Sequence, residues 1–359
     1  MLNSSEFNPV DDWQENIYRT LLSWIRKIMS LKAIAKELGI SVTTVSRALN
    51  GYDDVSLETR ERVEAEAQRR GYRPNTLARR LKMGKIDAVG LVFPASSSSL
   101  VSRVFFDMVA EISHELARYD IDLLLISDDE QAGRNSYMRL VQSRRVDALI
   151  VAHTLDDDPR LIQLLSSGFP FLALGRSRLP QPYAWFDFDN QAGALTATRY
   201  LISQGHRQIA LLGEDNNQAF IIQRRNGYLQ ALNESGLDNH WLRNIPATRR
   251  AGYQATLELL QLPNPPTAIL TDCNTHGDGA AMALSNQGRL TGDNRVSLVI
   301  YDGLPQDSII DAQVGAVIQS TRQGVGRQIA SMVRRLIAGD DPASLQVLWQ
   351  PEFIPGETA

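Results

Sequence analysis

From Asp87 to Ser320 the chain alternates short apolar runs with longer segments of helical period. The runs are DAVGLVF, DLLLIS, DALIVA, FPFLALG, AWFDFD, QIALLG, TAILTD, VSLVIYD and AVIQS. Runs this apolar, with no alternating polar face, are strands buried on both sides, and helices between them are the crossover connections of parallel sheets. About nine such strands overfill one doubly wound sheet of this length. The spacing therefore predicts two α/β lobes that meet near residues 176–186, RSRLPQPYAWF. Ligands of open α/β sheets bind beyond the carboxyl ends of the strands. The residues following the runs are Phe93, Pro94, Ser127, Asp128, His153, Gly175, Arg176, Phe188, Glu214, Asp272 and Asp302. They combine charged groups with aromatic faces.

A different rhythm precedes Asp87. LKAIAKEL, VTTVSRALN and LETRERVEAEAQRRG read as three short helices, joined by GIS and DDVS. Gly39 supplies a tight turn, and Ser41 and Ser56 are placed to cap the second and third helices. Val45, Ala48 and Leu49 share one face at i, i+3 and i+4, which leaves Val42, Thr43, Ser46 and Arg47 outward. A helix-turn-helix puts the first turn of its second helix in the major groove. Short side chains allow close approach there, and arginine reaches guanine or phosphate. Ser41 and Thr44 are placed to hold phosphates, and Asn50 ends the same helix. An ordinary αα-turn would give the same bare pattern; the charge of the segment and its terminal position favour DNA. Residues 31–85 hold 12 Lys/Arg against 7 Asp/Glu, an excess of five positive charges, in a chain whose net charge is -4. The arginines of the third helix alternate with Glu58, Glu61, Glu64 and Glu66, as on a solvated helix face.

Pro74 then breaks the pattern, and Asn75 can cap only a short helix that Gly84 ends. A helix of about two turns is marginal in water by itself. Residues 1–28 read either as an upstream translation start or as an accessory helix with Trp13, Ile17, Leu21, Leu22 and Ile25 on one face. A composition of 43% hydrophobic and 22% charged residues fits a globular protein with a sizeable core. The single cysteine, Cys273, excludes an internal disulfide framework and a multi-cysteine metal site. The sequence contains neither a run of about 18 apolar residues nor a secretory signal, so a cytoplasmic location is expected. It also lacks GxxxxGK(S/T), GxSxG, zinc spacing and a glycine-rich dinucleotide turn, and neither a metal, a cofactor nor an enzyme activity is expected.

LKAIAKELGISVTTVSRALN, VSLETRERVEAEAQRRGYRPNTLARRL and the following α/β lobes resemble the lactose/galactose-repressor (LacI/GalR) family of bacterial transcription regulators. The likeness runs from residue 30 to about 356. Within the family, IDLLLISDDE, AHTLDDDP, AWFDFDN and YDGLPQDSII are most similar to repressors of raffinose operons, which implies an α-galactoside effector. The resemblance implies an N-terminal three-helix helix-turn-helix DNA-binding headpiece at 30–74 and a hinge helix and linker at 75–85. A two-lobed, periplasmic-binding-protein-like sugar-binding and dimerisation domain with parallel sheets follows at 86–359. It implies a homodimer on a pseudo-palindromic, double-stranded operator, with Ser41, Val42, Thr43, Thr44, Ser46, Arg47 and Asn50 facing DNA. In the hinge it implies Leu81 wedged into the minor groove, with Asn75 and Arg79 beside the backbone. Arg224 and Asp302 match the effector-gripping arginine and acid, and Phe188 matches a cleft aromatic. Phe105 or Phe106 fills the first-lobe stacking position, and His153 and Asn274 join the effector set. Three departures stand out: Cys273-Asn274 replaces the usual Asn-Asp, Gly175 replaces an acidic residue, and the first loop, PASSSSLVSRVFF, is longer. A sugar-binding module without regulatory action, and an activator or corepressor-dependent regulator, remain the alternatives.

Overall fold

The computed structural model describes residues 30–49, 52, 54–72, 86–95, 103–128, 136–237, 241–319 and 324–359. The chain divides into two compact units, Met1–Lys85 and Ile86–Ala359. In the first, three helices are described: α1 (Leu31–Leu38), α2 (Val42–Leu49) and α3 (Leu57–Arg69). Ser30, Ser41 and Ser56 each accept a backbone N–H three residues on, which satisfies a donor that the helix start leaves free. Gly39, with φ +65°, ends α1 in the left-handed region that favours glycine. Ile34, Ala35, Val45, Ala48, Val55, Val63 and Ala67 form the buried core. Outside it, Glu66 accepts from Arg69 at 2.7 and 2.6 Å and pairs with Arg70, whose other nitrogen reaches Glu37 on α1 at 2.8 Å.

The second unit contains twelve strands among its described residues, arranged as two six-stranded sheets. The first sheet has the order β11-β5-β4-β3-β1-β2, all parallel. These strands are β1 (Ala88–Pro94), β2 (Asp122–Asp128), β3 (Ala148–Val151), β4 (Phe171–Leu174), β5 (Ala184–Phe188) and β11 (Gln346–Trp349). The second has the order β12-β10-β9-β8-β6-β7 and is parallel except for β12. It comprises β6 (Ile209–Glu214), β7 (Leu242–Ile245), β8 (Ala268–Thr271), β9 (Ser297–Tyr301), β10 (Gly315–Ile318) and β12 (Glu352–Ile354). Apolar clusters cover both faces of each sheet, which is why the inner strands read as unbroken apolar runs.

Two differences from the sequence reading stand out. The first crossing between lobes follows Phe188, because AWFDF pairs with β4 as a strand of the first sheet; residues 176–183 are a connection within that lobe. β7, β11 and β12 escaped the apolar-run search because they are sheet edges, half-exposed and partly polar. The chain crosses again between β10 and α11 (Val325–Ala338), and a third time between β11 and β12. Helix α11 lies in the first lobe, where Ile329, Met332, Val333 and Leu336 pack in one core with Phe105, Val109 and Ile112 of α4 (Arg103–Ala117). In the second lobe, α7 (Asn190–Ser203) and α8 (Ala219–Glu234) meet at Gly227, where a Cβ would stand 2.2 Å from the Gln191 carbonyl oxygen.

Candidate functional site

On the three-helix unit, Ser41, Val42 and Thr43 are exposed at the start of α2, and Val45 and Ala48 are buried beneath. Thr44, Ser46 and Arg47 are half-buried. The hydroxyls of Ser41 and Thr44 lie 2.8 Å apart, bonded to each other in the cap. Arg47 donates from Nε to Asp54 at 3.1 Å and pairs through Nη2 with the second oxygen. Its guanidinium carbon lies 4.5 Å from the Tyr52 ring centroid. Asn50, Asn75, Arg79 and Leu81, and with them the proposed hinge helix and the 1–28 extension, lie outside the described residues.

On the two-lobed unit, a cleft of about 600 Å³ opens at the carboxyl ends of strands from both sheets. His153, Gly175, Phe188, Glu214, Arg224, Asn274, Asp302 and Phe105 line it. Phe106 does not; one residue further along α4 it turns by about 100°, and it is exposed, edge-on to Phe105 at 5.8 Å. Phe93, Pro94, Ser127 and Asp128 also stay out of the cleft. Their strands lie at the β1–β2 side of the sheet, away from the strands that carry the crossings. Gly175 has φ +114°, and a Cβ there would meet the Thr154 hydroxyl at 2.3 Å, which accounts for the missing acidic side chain.

Arg224 is buried, with its guanidinium 3.7 Å from the Tyr301 ring centroid and 4.8 Å from that of Phe220. Its Nε donates to Asn190 at 2.9 Å, and its Nη1 donates to the Asp272 carbonyl oxygen. Asn190 stands just past the first crossing, and its side-chain oxygen also accepts from Gln319, at the second crossing, at 3.0 Å. Arg224 is thus tied to both crossing segments. Asp302, with φ +65°, donates its N–H to the Val317 carbonyl oxygen at 2.8 Å. Burial pushes its carboxyl pKa up, against the pull of Arg224. Asp187 is likewise raised by burial, opposed by its 2.9 Å bond from Arg176.

His153, from the first lobe, lies within 3.0 Å of the Gln218 side-chain oxygen at the start of α8 in the second. Leu155 and Gln218 form a β-bridge at the same place. Burial lowers the imidazole pKa, which keeps the ring neutral. With Nδ1 donating to Gln218, Nε2 is an acceptor, and that atom is buried without a hydrogen-bond partner. Buried polar atoms in this state call for a partner, and this one lies in a residue that lines the cleft.

Residues the strand-end rule missed are Asn190, Gln218, Phe220 and Gln319. Asn190 and Phe220 lie in first helical turns, Gln218 is a helix cap, and Gln319 begins a crossing. Beneath the cleft, ligand-type atoms of Asp272, Cys273 and His276 lie within 4.8 Å of one another. Both ring nitrogens of His276 are engaged, Nδ1 with Asp272 at 3.0 Å and Nε2 with the Pro246 carbonyl oxygen at 2.9 Å. Burial disfavours its charge, yet the neighbouring Cys273 and Asp272 hold its pKa up, at about 11. A ring donating both N–H groups has no lone pair for a metal, and this trio braces the wall: the second Asp272 oxygen accepts the Glu214 N–H at 2.6 Å.

Residues 30–75 match the family model described as bacterial regulatory proteins, lacI family. Residues 86–354 match the model of periplasmic binding proteins and the sugar binding domain of the LacI family. The HTH-type transcriptional regulator RafR of Escherichia coli is 63% identical over 330 residues, which cover 92% of this chain and 98% of that protein. A crystal structure of a transcriptional regulator from Yersinia pestis superposes with a TM-score of 0.73 at 49% identity, over 76% of this chain and 98% of the other. The lac repressor dimer bound to operator and the anti-inducer ONPF shares the fold, with a TM-score of 0.77 at 24% identity over 92% of this chain and 98% of the other.

Proposed function

The chain belongs to the LacI family of bacterial transcription regulators, and from that premise we propose that it is a homodimeric, cytoplasmic repressor of an α-galactoside utilisation operon, released from its operator by the sugar. The chain is a regulator and not an enzyme. Among the described residues no helix is long and apolar enough to cross a membrane. In this reading residues 30–74 are the headpiece, 75–85 the hinge and 86–359 the sugar-binding and dimerisation domain. Two copies of α2 contact the two half-sites, since one headpiece reads only one of them.

The observation that carries the reading is the position of Arg224, which lines the cleft while bonded to the first crossing and, through Asn190, to the second. A sugar held by Arg224 and Asp302 of the second lobe and by His153 and Phe105 of the first biases the angle between the lobes. The first lobe follows directly after residues 75–85, so that angle bears on the spacing of two hinges in a dimer. A segment near its folding threshold responds to such a change. The charge of the cleft favours a neutral sugar over a phosphorylated one: Asp107, Glu111, Asp187, Glu214 and Asp302 face Arg103 and Arg224. His153 and Phe105 complete the sugar contacts, with Phe188 and Asn274 at the walls. RafR and the raffinose-operon likeness support the choice of α-galactoside.

The test is retardation of operator DNA by the full chain with melibiose, raffinose, galactose and lactose in parallel. Release by melibiose or raffinose at the lowest concentration is expected. DNA binding that responds to none of the four sinks the effector assignment, and tightening in place of release reverses the sign of the coupling.

A further inference from the structure

We propose that Asp54 is a positioning residue for DNA reading, which holds the Arg47 guanidinium so that its free edge meets a guanine. The proposal rests on the reading of α2 as the helix that faces DNA. Tyr52 is tied to the end of α2: its N–H donates to the Arg47 carbonyl oxygen at 3.1 Å, and its own carbonyl oxygen accepts the Val55 N–H at 3.3 Å. Arg60 reaches the same Tyr52 oxygen at 3.0 Å, and Val55 is buried in the core. Tyr52 and Asp54 are therefore anchored where they flank Arg47.

The carboxylate takes one side of the guanidinium, Nε and one hydrogen of Nη2, and Tyr52 covers a face. What remains is the end edge, Nη1 and the second hydrogen of Nη2, and no partner stands there among the described residues. Two parallel donors in a fixed plane match O6 and N7 of guanine. A phosphate fits worse, because the adjacent carboxylate offsets the charge that attracts an anion while leaving the directed hydrogen bonds to a neutral base intact. The pair is 40% and 55% exposed, so its part in folding is small and its part in orientation is what DNA binding feels. An arginine held in one rotamer also has less freedom to lose on binding.

The experiment is selection of sites from random duplexes by the full chain, as wild type, Asp54→Ala, Asp54→Glu, Arg47→Ala and the double Ala variant. The wild type is expected to select a guanine at one symmetric position of each half-site. Asp54→Ala should cut the preference at that position by about tenfold, Arg47→Ala should abolish it, the double variant should match Arg47→Ala, and Asp54→Glu should restore part of it. The salt dependence of binding should be steeper in Asp54→Ala than in wild type, as the freed arginine turns to phosphate. An unchanged guanine preference in Asp54→Ala overturns the proposal, as does a uniform loss at all positions, which marks a structural role. A wild type that selects no sequence overturns the DNA-reading assignment itself.

Discussion

The two units of this chain are held together by different means. The three-helix unit gathers seven buried apolar side chains, the largest of them Ile34, and adds a surface brace of Glu66, Arg69, Arg70 and Glu37. The two-lobed unit packs four apolar clusters around its sheets and buries polar groups at the crossings, where Arg224, Asn190, Gln319 and Tyr301 are bonded together. A small core leaves little margin, so each side chain in it carries a large share of the unit's stability. In the larger unit the margin is wide, and polar groups can be committed to a ligand.

The contrast is broken most severely at Ile34. Ile34→Ala is expected to destabilise the three-helix unit by about 2–5 kcal/mol, enough to unfold much of it, while the two-lobed unit keeps its melting transition. Calorimetry of the full chain reads both, and a joint fall of the two transitions would contradict independent units. In the larger unit, Gly227→Ala forces a methyl against the Gln191 carbonyl and should lower stability by about 1–3 kcal/mol, seen as a fall in its own Tm and in sugar affinity.

His153→Phe separates ligand binding from packing. It keeps a ring between Phe105 and Phe220 but removes both the acceptor and the bond to Gln218, so sugar affinity should fall by about 2- to 10-fold, beside a loss of about 1–3 kcal/mol of stability from the unpaired Gln218 oxygen. An unchanged affinity by calorimetric titration would remove His153 from the contact set. The smallest effect concerns acid. Bonds from Arg69 and Arg70 hold the Glu66 pKa at about 2, below its ordinary value of 4.5. A depressed folded pKa stabilises above the unfolded value, and that contribution is lost as pH falls from about 4.5 through 2. Asp187 and Asp302 are raised, so their sign is opposite: they favour the folded state below the ordinary carboxylate pKa and lose that contribution as pH rises. Melting of the three-helix unit across this acid range should fall in the wild type and fall less in Glu66→Gln.

Legibility in the sequence followed the same division. The helices of the small unit are announced by Ser41, Gly39 and Ser56, local signals that need no distant partner. The inner strands are equally plain, since burial on both faces demands unbroken apolar runs. The edge strands β7, β11 and β12 carry no such demand and were missed. In the cleft, the strand-end rule reaches His153, Phe188 and Asp302, because the fold presents those positions directly. It cannot reach Asn190 or Gln319, whose places depend on how two crossings run side by side, nor decide between Phe105 and Phe106, which share a helix and differ only in facing. Asp54 was equally hidden: its importance lies in an arginine seven residues away that it meets only once the turn is formed.

The three crossings also set an order of events during synthesis. The first sheet includes β11 at Gln346–Trp349, and the second is completed by β12 at Glu352–Ile354, so each draws on a strand that follows all of its others in the sequence. Neither lobe can finish its sheet until Gln346–Trp349 or Glu352–Ile354 has left the ribosome, whereas the three helices can close over their core as soon as they emerge. The part that faces DNA is thus complete first, and the part that answers to sugar is complete last. A chain stopped before Gln346 would carry an intact headpiece on lobes that each lack an edge.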